Sequence, residues 1–594
     1  MKKKILFLLV LFITTGIIFL SSCSDTPKIL DSPTGLIKDR RVMVWNPVEN
    51  ASGYKVYIDD EEYTVEECRF EMYKFDAGTY DFELQAIGDG KRFKDSDPVT
   101  QTIELSEPVT IARDQRFLYK LLDDKSGYYV IARGKKGLPP EETMTIPDFY
   151  GDYPITKLVS ISNGNNTTEW SQDANYNTVT KYVKLPVHLK SIDGTAFAGM
   201  SNLREIIIPD SVTEIGIQAF ANCTSLKKAV LPKGLKEIPP SCFKNTPLSE
   251  IEIPETVEII GSSAFECETR NKENGILHIS SGLSSVHIPD SVKIIGDKAF
   301  KGRERLKNIR IPKTIESIGE KAFDDTLWYL VQDEGGVYIN NWLIGYKGES
   351  GALTEFEIPA GTKVSGKLFY GMTSLVKVIF NDGVLLKGNG TFKKCTSLTE
   401  VTLPKSITEI PDETFYGTTA LKTIILPDSI TYIGNSAFSR SGIKEINLPS
   451  ELKTIDKNAF AWCESLVSIN FNSKLENVRN SAFMGCTALT AAELPSSLRT
   501  LETSAFTQCS SLKFAVIPEK LETLGQQPFS GCPALEAIYF GGSSDKWFYL
   551  YDQAHMSGIS ANPLSNANVF YYSASAPSSP GRYWHYNNDK PAIW

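Results

Sequence analysis

Leu203-Arg204-Glu205-Ile206-Ile207-Ile208-Pro209-Asp210-Ser211-Val212-Thr213-Glu214-Ile215-Gly216-Ile217-Gln218-Ala219-Phe220-Ala221-Asn222-Cys223 is one copy of a pattern that the chain repeats. Thirteen phenylalanines mark its phase: Phe197, Phe220, Phe243, Phe265, Phe300, Phe323, Phe369, Phe392, Phe415, Phe438, Phe460, Phe483 and Phe506, with Phe529 as a fourteenth. The steps are 22 or 23 residues, except 35 between Phe265 and Phe300 and 46 between Phe323 and Phe369. The last is twice 23 and places Tyr346 on the skipped rung. A fixed period of this length is the signature of a solenoid, because one unit cannot bury its apolar face alone whereas stacked units share a core. Within the unit, Leu203, Ile206 and Ile208 feed that core from a short strand, which Pro209 ends because it lacks an N–H. Val212 and Ile215 point inward from a second extended piece, Gly216 allows the turn, and Ala219-Phe220 are expected on a short helical turn. The expected fold is mainly β with short helical turns.

The copy from Leu421 through Ile424, Leu426, Pro427, Ile430, Ile433, Gly434 and Ala437 to Phe438 follows the pattern almost throughout. These residues resemble the BspA-like, or Treponema pallidum-type, leucine-rich repeat family, whose unit reads close to Leu-x-x-Ile-x-Ile-Pro-x-Ser-Val-x-x-Ile-Gly-x-x-Ala-Phe-x-x-Cys. The match covers about residues 145–545. It implies a leucine-rich repeat solenoid on a bacterial surface, in a family whose members look like adhesins for extracellular-matrix proteins. Three stretches depart from the pattern: Ser162 to Thr178, the residues between Cys267 and Leu283, and an aromatic insert with Trp328, Tyr329, Val337, Tyr338 and Trp342. Loop growth on one face is the reading preferred to a dedicated binding loop.

Upstream, residues 1–22 combine Lys2-Lys3-Lys4 with an apolar run from Ile5 to Leu20, the pattern of a secretory signal. Leu20-Ser21-Ser22-Cys23 resembles a bacterial lipobox, which implies lipid attachment at Cys23, a tether over 23–30 and anchoring to the membrane of the cell envelope. Residues 31–106 alternate short strands with turns, as a β-sandwich does. Tyr80, Phe82, Leu84 and Ala86 share one face by the period of two. With Trp45, Asn50-Ala51-Ser52-Gly53-Tyr54 and Gly78-Thr79-Tyr80, this segment resembles a fibronectin type III domain. Residues 110–144 read as an N-terminal β cap. Residues 546–594, rich in Trp547, Phe548, Tyr549, Phe570, Tyr572, Trp584 and Tyr586, read as the cap over the last open core layer. A sugar-stacking surface is the alternative for these aromatics.

Six of the ten cysteines, Cys223, Cys395, Cys463, Cys486, Cys509 and Cys532, fall three residues after a ladder phenylalanine. That phase makes them small core residues, free thiols in preference to disulfides. Neighbours such as Cys486 and Cys509 keep the bridged alternative open.

No catalytic frame accompanies the repeats. The five histidines are scattered, there is no phosphate-binding glycine loop, nucleophile elbow or EF-hand spacing, and no Cys-x-x-Cys occurs. The expectation is a non-enzymatic chain with no cofactor or metal. A formal charge of −9 and a pI near 5.4 argue against nucleic acid as partner. What remains is surface: the strand position between the two inward residues varies freely along the array. It holds His287, Arg310, Glu357, Thr402, Asn447, Glu493 and Tyr539, the candidate protein-binding face. The expected partner is a host or cell-surface protein. Carbohydrate capture by the C-terminal aromatics and a structural role in the envelope are the alternatives.

Overall fold

The computed structural model describes residues 26–108, 111–113, 117–133, 141–159, 179–268, 282–349, 351–555, 568–578, 581–587 and 590–594. The signal segment, Cys23, the Ser162–Thr178 insert and most of the insert after Cys267 lie outside them. The chain divides into two compact units.

The first unit holds the described residues up to Arg113 together with Tyr119–Tyr129 and Phe149–Ile155. Strands Ile37–Asp39, Val42–Val44 and Arg69–Glu71 form one antiparallel sheet. Glu61–Val65, Gly53–Ile58, Gly78–Ile87 and Val99–Leu105 form a second. Met43, Trp45, Val56, Phe82, Leu84 and Ile103 from the two sheets meet in one apolar cluster. Of the face predicted for the long strand, Phe82, Leu84 and Ala86 are buried and Tyr80 is half-buried. Of the segment read as an N-terminal β cap, residues 110–144, the described stretch Tyr119–Tyr129 clusters with this unit. Aromatic packing joins it there: Tyr128 meets Tyr153 edge-on at 5.8 Å, and Tyr153 lies 6.0 Å from Tyr73 and 4.6 Å from the guanidinium of buried Arg41.

The second unit is the solenoid. Its first ladder starts at Thr143–Thr145, which pairs in parallel with Tyr182–Lys184, and continues coil by coil through Glu205–Ile207 and Lys228–Val230. The second ladder joins two-residue strands, such as Ser191–Ile192 with Glu214–Ile215. Inward side chains of both are sealed off, Ile206 and Ile192 among them.

The segment expected as a short helical turn is a third set of inter-coil bonds. Thr195, Phe197 and Gly199 donate to the carbonyls of Ile217, Ala219 and Ala221, at 2.9, 2.8 and 2.8 Å. Residues between them close local i to i+3 turns, as Ala221 does onto Gln218. This alternation puts the residues two before and two after almost every ladder phenylalanine in the left-handed region, Gln218 at φ 62° and Asn222 at φ 60° for example, with Cys267 after Phe265 the exception. Gly216 is needed for closeness, since a Cβ there would sit 2.2 Å from the Gly194 nitrogen.

The phenylalanine ladder is a physical stack. Rings from Phe197 to Phe323, and again from Phe369 to Phe529, lie 5.0–5.7 Å apart between centroids with planes within 18°. Between the two runs the regular coil is lost, so Tyr346 is no rung. It lies half-exposed in Trp342–Lys347, a strand paired antiparallel with Gly335–Ile339, and meets Phe356 edge-on at 84°. The aromatic insert behind this break is structured: Leu327–Leu330 is a helical turn capped by Thr326, and Trp342 is fully buried.

At the C-terminal end, Ala537–Phe540, Asn568–Tyr572 and Tyr583–Asn587 extend the parallel ladder, and Lys590–Ile593 closes it antiparallel. Helix Ser544–His555 lays Trp547 and Leu550 on the core. Trp547 is 3% exposed and Trp584 1%, and the Trp584 indole donates to the Phe540 carbonyl at 2.9 Å. Both rings are therefore packed into the end of the core rather than laid on its surface.

Candidate interaction face

The coils place one side chain of the first strand outward between two inward ones, because successive residues of a strand alternate faces. Parallel in-register pairing then lines these side chains into a row: Ile207 beside Val230, His287 beside Arg310, Glu357 beside Ile379, Ile379 beside Thr402, Asn447 beside Asn470. His287, Arg310, Glu357, Thr402, Asn447 and Glu493 are all exposed. Tyr539 differs from the expectation. It is half-buried, 5.7 Å from Phe570 and 5.4 Å from Trp584, and belongs to the cap.

Side chains in and beside the row interact across coils. Asn470 donates to Asn447 at 2.7 Å, and Asn381 donates to Glu357 at 2.8 Å. Charges at the strand starts are also paired, Lys228 with Glu205 at 2.9 Å and Lys377 with Glu400 at 3.1 Å. Such exposed pairs contribute little to stability, but they neutralise the surface locally. The row is broken into separate ladders, and Ser285–His287 with Asn308–Arg310 stands as a two-stranded one. Beside it an open groove of about 540 Å³ brings His287, Lys307 and Arg310 near Trp328. Lys307 lies outside the regular row and Trp328 comes from an insert, so the period alone does not reveal their meeting. The spacing from Ile309 to the insert, where a full coil is missing, is the signal that marks the place.

Below the surface the chemistry is structural. The repeat-phase cysteines are buried free thiols. Each donates to the carbonyl of the preceding ladder phenylalanine, Cys223 to Phe197 at 3.1 Å and Cys395 to Phe369 at 2.9 Å. At this position Arg303 is fully buried, with Nε 2.5 Å from the Phe265 carbonyl and a terminal nitrogen 2.6 Å from that of Thr246. Burial pulls its pKa down to about 10. Among the described residues, no group of three His, Cys, Asp or Glu side chains is placed to hold a metal ion. No helix among them is long and apolar enough to cross a membrane.

A family model described as BspA type leucine rich repeat region matches the chain in 6 copies, over residues 149–274, 275–330, 346–466 and 433–549. Solved structures similar to the chain include a leucine rich cell surface protein from Faecalibacterium prausnitzii, 22% identical, covering 76% of this chain and 100% of that one with a TM-score of 0.31. The pneumococcal vaccine antigen PcpA is 19% identical over 77% of this chain and 98% of its own, with a TM-score of 0.29. A leucine-rich repeat protein from Eubacterium ventriosum is 20% identical over 70% of this chain and 93% of its own, with a TM-score of 0.33. No curated protein matches the chain.

Proposed function

The chain belongs to the BspA type leucine rich repeat family, and from that premise we propose that it is a lipid-anchored protein of the bacterial cell surface whose solenoid binds other proteins as an adhesion module without catalysis. The observation that carries this reading is the outward row. A buried scaffold that hardly varies from coil to coil presents exposed His287, Arg310, Glu357, Thr402, Asn447 and Glu493 at the same outward position of successive short ladders, which is the arrangement extended recognition uses. Cys23, in its lipobox, is the proposed attachment point, with the fibronectin type III-like unit as spacer.

The reading is tested by binding of a soluble form, residues 24–594, to a panel of immobilised host extracellular-matrix proteins. Saturable binding that weakens when Thr402 and Asn447 are both replaced by Arg supports it. Absence of binding across the panel, with circular dichroism showing folded protein, removes adhesion to those ligands. Labelling of the full chain with a radioactive fatty acid, lost in Cys23→Ala, tests the anchor.

A further inference from the structure

Strand Asn308–Arg310 pairs with Ser285–His287 on one side and, among the described residues, with no strand on the other. In a parallel ladder, alternate residues turn both backbone groups toward the same neighbour. The Arg310 carbonyl accepts from Ile288 at 2.9 Å and the Asn308 N–H reaches the Ser284 carbonyl at 3.3 Å. Ile309 therefore directs its N–H and C=O toward the open edge. Its side chain is half-buried, where the equivalent Ile206, Val286 and Ile446 are closed off by a following coil. The next coil is absent because the chain turns into Leu327–Leu330 and the antiparallel hairpin.

The groove at this edge is lined by His287, Lys307, Ile309, Arg310 and Trp328. Lys307 and Arg310 are exposed and, among the described residues, lie beside no carboxylate at ion-pair distance, so their charges are open to a ligand. In a chain of net charge −9, Lys307, Arg310 and His287 give this apolar wall a cationic rim. The wall is Trp328, half-buried and held edge-on against Phe323 at 6.1 Å.

We propose that this groove docks an extended acidic peptide segment, added as a strand along Asn308–Arg310, with its carboxylates on Lys307 and Arg310 and an apolar residue against Trp328. This rests on the protein-binding reading above and names the chemistry of one partner segment. The open backbone edge selects a peptide over an anionic polysaccharide, since only a peptide carries N–H and C=O groups at the spacing of a strand.

The test uses residues 24–594 and a fluorescein-labelled peptide alternating glutamate with valine, read by fluorescence anisotropy. Binding is saturable and falls with added salt. It weakens about tenfold or more in Lys307→Glu/Arg310→Glu, and several-fold in Trp328→Ala. A peptide N-methylated on its central residues, which keeps the charge and removes the N–H donors, loses binding. Equal binding by the N-methylated peptide, or full competition by polygalacturonate with no effect of N-methylation, overturns strand addition in favour of an anion surface. Undiminished binding by the charge-reversed variant places the peptide elsewhere and overturns the groove. Matrix-panel binding that persists without any peptide binding overturns the groove alone. Peptide binding with these sensitivities, in a chain that captures no panel protein, sustains the groove and removes only the matrix ligands.

Discussion

The thiol of Cys486 donates to the main-chain carbonyl oxygen of Phe460, 3.2 Å away and one coil earlier. Cys463, Cys509 and Cys532 do the same to Phe438, Phe483 and Phe506. Each cysteine is thus a small apolar filler and a cross-coil donor at once. Cys486→Ala removes both contributions and lowers stability by about 1–2 kcal/mol, read from the urea midpoint.

The repeat-phase thiols of Cys223, Cys395 and Cys463 give the array an alkaline limit. Burial pushes Cys223 and Cys395 up to about 12 and Cys463 up to about 11, from an ordinary value of 9.0. Between those values the unfolded chain releases protons that the folded chain keeps. The contribution is complete below pH 9 and is lost as pH rises toward 12. Denaturation midpoints measured from pH 8 upward fall, and less steeply when several of these cysteines are replaced by alanine.

Arg303 holds three coils together from inside, through the carbonyls of Phe265, Thr246 and Phe243. Arg303→Leu leaves these acceptors without their donor and costs about 3 kcal/mol. Arg303→Lys does not rescue it, because a single ammonium cannot span the three oxygens. Hydrogen exchange in the variant speeds up in the coils of Phe243, Phe265 and Phe300 and not in those after Phe369, as nearest-neighbour coupling requires.

Asp324 works against the fold near neutral pH. Burial first, and Asp325 beside it, raise its carboxyl to about 6. A raised carboxyl favours the folded state in its protonated form, so that stability is present below pH 4 and is lost as pH rises through 6. Asp324→Asn is more stable than the parent by about 2 kcal/mol at pH 7.5. The two coincide at pH 4, a comparison that thermal unfolding at the two pH values makes directly.

The closing aromatics separate by burial. Trp584→Ala removes a fully packed ring and its bond to the Phe540 carbonyl, costing about 3–5 kcal/mol and opening the strands after Ala537 to limited proteolysis. Tyr586→Ala, at an exposed position, leaves the protease-resistant core unchanged.

The stacked rings follow directly from one-dimensional spacing, because a contact between equivalent residues of adjacent coils needs only the period. Phe460 over Phe483 is such a contact, and so is the burial of Cys486. Tyr346 shows where spacing stops informing. Two periods fit between Phe323 and Phe369, yet Gly335–Ile339 and Trp342–Lys347 pair with each other, as antiparallel strands joined by a tight turn can. Tyr539 has the phase of an outward residue and is covered by Phe570 and Trp584, from segments beyond the last regular coil. The groove was legible by halves: His287 and Arg310 lie in the periodic row, whereas Lys307 and Trp328 join them only because a coil is missing.

Identical rungs also create an alignment problem. A coil that stacked one position out of place would find the same ring, the same carbonyl for its thiol and the same donors waiting, so uniformity carries no information about which neighbour is correct. The irregular features supply it. Arg303 fits only where Thr246 stands two coils before, and the hairpin after Phe323 admits one successor. Departures from the repeat serve as addresses, and an array edited toward its own consensus would gain regular coils while losing the marks that set their order.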